Sequence, residues 1–493
     1  MVADPEPLVA AVFTLLVFGP ILAALLIFLW PRARVADSLA ILFGVVQLLF
    51  LVPLGGLLLE RGPQLLALGG NALPLGIPLY LDGLALGMLW LTGLVGLAIS
   101  IYASGWLRAL EHRSGMEYRV VSLLLWSGLN ALFLSGDLIN LYVTLEITAL
   151  ASVALVALSR GARPLAAAVR YLYFALIGSI FFLLGVALVY AETGLLALPE
   201  LARLDDRGPG RLVALAAITA GLAMKAALFP VHAWLPAAHS AAPAPASALL
   251  SALVAKASAY LILRLWSGAL NGIWTPELAQ VLGAMGAAGI VFGSVQALRQ
   301  NRLKPVIAYS TVAQLGYLLL LMPLASLLAW QGILYHALVH GLAKAALFLA
   351  AGNLILGIGH DRLSGLAGCD RVLSKNILAI AIAGVSIAGL PPTGGFVAKW
   401  WLINAALDQG QWWWALLIGG GGFLAALYLF RVLSFAMLQP HPESSEPVQV
   451  ARRNLDRAML WPPMLLAFAA LALGFAGELL APFLAVGYPG DWP

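Results

Sequence analysis

The sequence predicts an all-α polytopic membrane protein of about 14 transmembrane helices, built around two inverted five-helix repeats. Three observations predict it. Of 493 residues, 62% are hydrophobic and only 10% charged, where a soluble domain carries about 25% charged residues; mean hydropathy is +0.96. Apolar runs near or above the roughly 20 residues that cross a bilayer follow one another almost without interruption. Two of these runs are broken by prolines and glycines at corresponding places, as in transporters assembled from inverted repeats.

The runs fall at about 8–30, 38–59, 80–103, 119–136, 138–158, 169–191, 211–229, 246–268, 278–298, 305–323, 326–357, 376–406, 411–436 and 458–485. The first follows an acidic start (Asp4, Glu6) and is long enough to span, which argues against a cleavable signal peptide. Spans 1–3 occupy residues 1–110. The proposed repeats are spans 4–8 (117–270) and 9–13 (276–437), and a C-terminal helix lies within 456–493. Five crossings per unit is an odd number, so adjacent units enter from opposite sides. Their broken helices are spans 7 and 12: Pro230, Pro236, Pro243 and Pro245 follow one, and Gly389, Pro391, Pro392, Gly394 and Gly395 interrupt the other. The longest polar stretches, Arg203 to Arg211 and His441 to Arg457, are too short to form a soluble domain.

Basic residues test the count. Odd-numbered connections carry Arg32, Arg34, Arg108, Arg113, Arg119, Arg160, Arg163, Arg170, Arg299, Arg302, Lys304, Arg362, Arg371, Lys375, Arg431, Arg452, Arg453 and Arg457. Even-numbered ones carry Arg61, Arg203, Arg207, Arg211 and Arg264, so the division is eighteen against five. The positive-inside rule then places the odd loops in the cytoplasm and both termini outside. It also accounts for the pI near 9.3 without nucleic acid as a partner.

The remaining basic residues, Lys225, Lys256, Lys344 and Lys399, are all lysines inside predicted spans, although arginine supplies 21 of the 27 basic residues. Arginine stays charged in proteins, whereas a buried lysine is able to give up its proton. Glu146 lies about two turns into span 5, where a charged side chain costs roughly 2.5–3.5 kcal/mol even on the lenient insertion scale. His232 and His239 follow the break in span 7; packing and hydrogen bonding would also explain them. In "YHALVHGLAKAALFLAAG", His336, His340 and Lys344 stand four residues apart, close to one face of one helix. Asp137 at the start of span 5 reads equally as a helix N-cap. These groups form a series suited to passing protons.

Enzymatic chemistry is not expected of the chain alone. No nucleophile–base pair is recognisable, and "LIGGGGFLAAL" is helix-packing glycine rather than a phosphate loop. The His336/His340 pair lacks the acid of an H-E-x-x-H zinc site, so no metal or other cofactor is expected. The single cysteine, Cys369, excludes an intrachain disulfide and a cysteine-ligated iron–sulfur cluster.

Five segments in one order, "GDLINLYVTLEI", "GLAMKAALFPVHAWLPAAH", "NRLKPVIAYSTVAQLGY", "YHALVHGLAKAALFLAAG" and "SIAGLPPTGGFVAKW", resemble the antiporter-like subunits of respiratory complex I, group 4 membrane-bound hydrogenases and multisubunit Mrp Na⁺/H⁺ antiporters. The lead-in "LGGNALPLGIPLYLDGLALGMLWLTGLVGLAISIYA" and the length are most similar to the D-subunit branch of the Mrp antiporters. The resemblance implies a proton-translocating subunit in a bacterial or archaeal plasma membrane, assembled with other membrane subunits and exchanging H⁺ for Na⁺ or K⁺. It implies that Glu146 and Lys225 are a charge-coupled pair. Lys256, His336, His340 and Lys344 would form a central axis, and Lys399 would gate one exit. It leaves two alternatives: a proton-pumping subunit of a complex I-like or hydrogenase complex, and a proton-driven partner in inorganic-carbon uptake.

Overall fold

The computed structural model describes residues 7–68, 76–109, 115–159, 161–204, 208–437 and 455–488. Of the basic residues used above to count sides, Arg113, Arg160, Arg207, Arg452 and Arg453 lie outside them. Eleven helices among the described residues are long and apolar enough to cross a membrane. The three expected spans not among them are a twenty-residue helix, Gly115–Leu134, and the two broken ones.

The first three spans are α1 (Pro7–Leu29), α2 (Ala33–Arg61) and α3 (Gly83–Ala109). The next three are α4 (Gly115–Leu134), α5 (Leu138–Ala157) and α6 (Ala162–Thr193), followed by the short α7 (Leu198–Ala202). Span 7 is divided into α8 (Pro209–Lys225) and α9 (Trp234–Ala241). Span 8 runs over Ala244–Ala269 as α10 (Ala244–Leu249), a π turn (Leu250–Val254), α11 (Ala255–Arg264) and a second π turn (Leu265–Ala269). It is wholly enclosed by the other helices, which is why it tolerates a helix-loosening π turn at mid-depth. Span 9 is α12 (Pro276–Arg299). Span 10 is α13 (Leu303–Gly316), continued by a 3₁₀ turn into α14 (Leu321–Leu324). Span 11 is the 32-residue α15 (Leu327–Ile358), followed by α16 (Cys369–Val372) in a connection. Span 12 is α17 (Ser374–Ala388) and α18 (Gly394–Asp408), and span 13 is α19 (Trp412–Met437). The chain ends with α20 (Arg457–Ala472) and α21 (Gly477–Ala485).

Contacts between connections bear out the alternation of sides. Even-numbered connections touch one another through the bridges Leu79–Ser135 and Asp137–Ala197. The Gly83 amide donates to the carbonyl of Val486 beside them. Odd-numbered ones meet separately: Arg302 pairs with Asp361 at 2.7 Å, Arg108 with Asp456 at 2.8 Å, and Arg431 donates to the Gln300 carbonyl at 2.7 Å.

Several elements differ from expectation. The third run begins as a strand: β2 (Ile77–Leu81) pairs antiparallel with β1 (Gln64–Leu68). The helix starts only at Gly83, because the Asp82 carboxylate caps it by accepting from Ala85 N at 2.8 Å. The fourteenth run does not continue unbroken to residue 485. It turns at Leu473–Phe475, where Gly474 packs so tightly on the Pro392 carbonyl that no Cβ fits. Four basic residues assigned to loops are buried, one of them Arg211, 2% exposed on α8. Arg119, on α4, pairs with Asp37 at 2.6 Å. Arg264, on α11, pairs with Asp82 at 2.8 Å. Lys304, on α13, donates to the Ala242 carbonyl at 2.6 Å. Arg119 and Arg264 each meet a carboxylate, whereas the lysine needs only a carbonyl.

A further network, with no signal in the sequence, locks α2, α3 and α4 together, and Asn130 Nδ2 also donates to the Leu16 carbonyl of α1 at 2.9 Å. Gln47 Oε1 accepts from Trp126 Nε1 at 3.0 Å and from Asn130 Nδ2 at 2.9 Å, while Gln47 Nε2 donates to the Leu89 carbonyl at 2.9 Å.

Cys369 is buried in the connection before α17, and burial, with Asp370 adding to it, pushes its thiol up to about 11. The native protein is therefore expected to resist maleimide at pH 8, and to react once denatured. Fast labelling of the native chain would contradict this packing.

Candidate functional site

Each break in the membrane helices exposes backbone groups, and a lysine sits at each. In span 7 the helix stops at Lys225, four residues before the expected end near Phe229. Ala227 takes φ +54°, the left-handed conformation that closes the helix, and Leu228 N donates back to the Ala223 carbonyl at 3.0 Å. Trp234 Nε1 satisfies the Met224 carbonyl at 2.8 Å and stacks on Tyr171.

Lys225 Nζ donates to Glu146 Oε1 at 2.8 Å, and Ser179 Oγ donates to the same oxygen. The lysine side chain is 3% exposed and the glutamate 20%. The pair therefore lies at the edge of the buried interior, beside the exposed apolar residues Val143, Ile147 and Leu150 of α5. Asp137 is the N-cap of α5, accepting from Ile139 N and Asn140 N at 2.9 Å. Its carboxylate is thus engaged by the helix start.

In span 12, α17 ends at Gly389 (φ +78°), and Lys399 reaches back from α18 to cap it. Its Nζ donates to the carbonyls of Ile387 at 2.9 Å and Ala388 at 3.0 Å. These last-turn carbonyls have no intrahelical partner and form the negative end of the helix dipole, so an ammonium group suits them. Gly395 lies so close to the Ser386 carbonyl that a Cβ would overlap it. Gly395→Ala is therefore expected to cost about 1–3 kcal/mol through forced displacement of α18 from α17. Thermal unfolding of the purified variant checks this, and an unchanged midpoint would refute it.

Between the breaks lies a row of enclosed polar groups. Lys256 donates to the Ser251 carbonyl at 2.9 Å, within the π turn of its own span, and Ser251 Oγ bonds Thr311 Oγ1 at 2.9 Å. On α15 the rings of His336 and His340 stack at 5.6 Å. His336 Nε2 meets the Gln314 carbonyl at 3.2 Å, and its ring packs 5.1 Å from Tyr317. Lys344 donates to the Ile307 carbonyl at 2.9 Å and to Ser310 Oγ. His340 is within electrostatic reach of Lys256, Lys344, His336 and Lys399. Tyr317 stands between the row and the second break, its ring 5.0 Å from Lys399 Nζ. His239 is buried, stacks on Phe348 at 4.7 Å, and feels Lys344, Lys304 and Lys256.

The structure thus joins Lys256, His239, His336, His340, Lys344 and Lys399 into one network, with Glu146 and Lys225 as a separate ion pair. His232 belongs to neither: it is half-buried against Phe229 and Phe292. Sequence reasoning missed Lys304, whose place just before Pro305 at a helix start reads as a loop. It also missed Gln314 and Tyr428, whose side chains are buried. Neither has a sequence signal, since Gln and Tyr are ordinary in membrane helices. These are neutral and basic groups that donate and accept, enclosed by apolar helices.

Fold and site together define a membrane-embedded ion-pathway protein. The chain belongs to the NADH:quinone oxidoreductase/Mrp antiporter transmembrane family, which it matches over residues 135–425. It is 39% identical to the N subunit of the NADH-quinone oxidoreductase of Desulforudis audaxviator, over 82% of this chain and 83% of that one. It is 27% identical to the D subunit of the Na(+)/H(+) antiporter of Bacillus subtilis, over 94% of each. Its fold matches a chain of the Mrp complex from Dietzia sp. with a TM-score of 0.88 at 26% identity, covering 98% of both chains.

Proposed function

We propose that this chain is the proton-translocating subunit of a multisubunit cation/proton antiporter, working with other membrane subunits. The observation that carries the reading is the Glu146–Lys225 ion pair at 2.8 Å, held at the edge of the buried interior. End-to-end similarity to the antiporter's D subunit, and to a chain of a solved Mrp complex, supports the cation-exchange branch. A second reading, a proton-pumping subunit of a complex I-like assembly, is favoured by the higher identity to an N subunit.

In this mechanism Glu146 holds a proton on Lys225 while the two touch. When they separate, the buried ammonium loses its counter-charge and passes its proton on. Lys256, His340, Lys344 and His336 relay it with intervening water, and Lys399 controls the far exit at the second break. His239 and Lys304 contribute to the field around the row. The two units, 117–270 and 276–437, supply one broken helix each. The arginine bias puts the odd-numbered loops in the cytoplasm and both termini outside.

The test is to purify the native complex, identify its subunits and reconstitute it in vesicles. Acidification-driven uptake of Na⁺ or K⁺ is expected, and Lys399→Ala is expected to lower it about 10²-fold. A purified complex that carries quinone-reducing subunits and exchanges no cation would replace this reading with the second one.

A further inference from the structure

The two broken helices differ in one respect. At the first, Lys225 meets a carboxylate, Glu146, at 2.8 Å. At the second, Lys399 meets none: no ion pair among the described residues includes it. Its Nζ is turned to the carbonyls of Ile387 and Ala388. Two of the three free positions on that nitrogen are thereby used. One is left, a lone pair on the amine or an N–H on the ammonium.

Beside the unmatched nitrogen lies a cavity of about 260 Å³, between α18 and α19 at the end of α17. Leu390, Trp400 and Phe423 line it and are 38%, 51% and 65% exposed, so it opens on the outer face of the helices. Lys399 lines it too, and is the one ionisable side chain that does; the other side chains are aliphatic or aromatic. The nitrogen is within reach of the cavity because two lining residues are glycines. A Cβ added to Gly389 or Gly422 would stand 3.2 Å or 3.4 Å from Nζ. Gly419, one turn from Gly422, is exposed and has open space where its side chain would be, which widens the mouth.

Such a site suits one negative charge at the end of an apolar body. Depth selects its source. Nζ sits at the end of α17, whose fifteen residues span about 22 Å from the side of the odd-numbered connections. That is about half of a bilayer roughly 40–45 Å thick, well below the headgroups of phospholipids. A carboxylic acid reaches this depth uncharged, and so avoids the cost of an ion in hydrocarbon. At the amine its O–H bond breaks and the proton forms the third N–H of Lys399. Carboxylate and ammonium are then left in contact, a charge-assisted hydrogen bond. The cavity is at the small end of ligand sites, so it holds the acid end and leaves the chain in the bilayer.

We propose that the cavity between α18 and α19 binds a long-chain fatty acid, its carboxylate on Lys399 Nζ and its chain lying out over Trp400 and Phe423. Binding is independent of the transport reading. Under that reading the acid would do for Lys399 what Glu146 does for Lys225.

The experiment irradiates the purified native complex with a palmitic acid that carries a diazirine, and maps the adducts by mass spectrometry. Adducts are expected on α18 or α19. Unlabelled palmitic acid is expected to suppress them, and hexadecanol, the same chain without a carboxyl group, to leave them at the same concentration. Lys399→Met keeps the shape without the nitrogen, and is expected to lower the yield about tenfold or more, as for the loss of a hydrogen bond between charged groups. Gly419→Leu fills the mouth from an exposed position, leaves Lys399 in place, and is expected to do the same while the complex stays assembled. Equal labelling of wild type and both variants would overturn the proposal, and so would equal competition by hexadecanol. In the intact complex, a photo-crosslinking benzoylphenylalanine in place of Phe423 should yield a fatty-acid adduct. A peptide adduct would show a partner subunit on this face and overturn the proposal as well.

Discussion

Glu146→Gln and Lys225→Ala are each expected to abolish cation/proton exchange, a fall of about 10²-fold or more, in vesicles carrying the fully assembled complex. The reason is the geometry of the pair. Glu146 is the one carboxylate on Lys225 among the described residues, at 2.8 Å, and Ser179 holds it in place. Glutamine keeps the size and the hydrogen bond from Ser179 but removes the charge that retains the lysine proton. Alanine at 225 removes the proton carrier. Folding should survive both changes, because Glu146 is partly exposed and keeps its hydrogen bond from Ser179. Assembly is checked by co-purification of the partner subunits, and exchange by the fluorescence of a pH dye on cation addition. Wild-type rates in either variant would remove this pair from the transport path.

Asp82→Ala is expected to give the largest loss of stability, about 3–5 kcal/mol, as for other buried ion pairs stripped of one partner. Arg264 donates to Asp82 through NH1 at 2.9 Å and NH2 at 2.8 Å, and through Nε to the Tyr260 hydroxyl at 2.7 Å. Both side chains are 2% exposed. Arginine does not shed its proton to escape burial, so the loss of Asp82 leaves a bare charge. The same substitution removes the cap of α3. The double variant Asp82→Ala/Arg264→Met, with no charge left to bury, is expected to recover part of the loss. Thermal unfolding in detergent measures both. A single variant within about 1 kcal/mol of wild type would show that water reaches the pair.

This pair also marks where sequence reading reached its limit. Arg264 reads as a loop arginine because a buried arginine needs a specific partner, and that partner, Asp82, lies 182 positions away. Lys304 was missed for a similar reason, since the carbonyl that receives it belongs to Ala242 at the end of α9. Lys225, Lys256, Lys344 and Lys399 were legible because each stands within a long apolar run, where charge is conspicuous. The breaks in spans 7 and 12 were legible from their prolines and glycines, although α8 ends four residues before Phe229. The strand at Ile77–Leu81 was not, since a short apolar run reads equally as the start of a helix.

The sequence by itself determined the number of crossings, their alternation, the two broken helices and the polar residues held at membrane depth. These follow from periodicity, run length and the cost of charge in hydrocarbon, all of which are local. Only the tertiary structure decided which polar residues meet. It set Glu146 on Lys225, turned Lys399 onto the end of α17, gathered Lys256 and Lys344 around His340, and gave Arg264 to Asp82. Such pairings depend on how helices distant in the chain pack side by side, and a span's own residues carry no record of its neighbour.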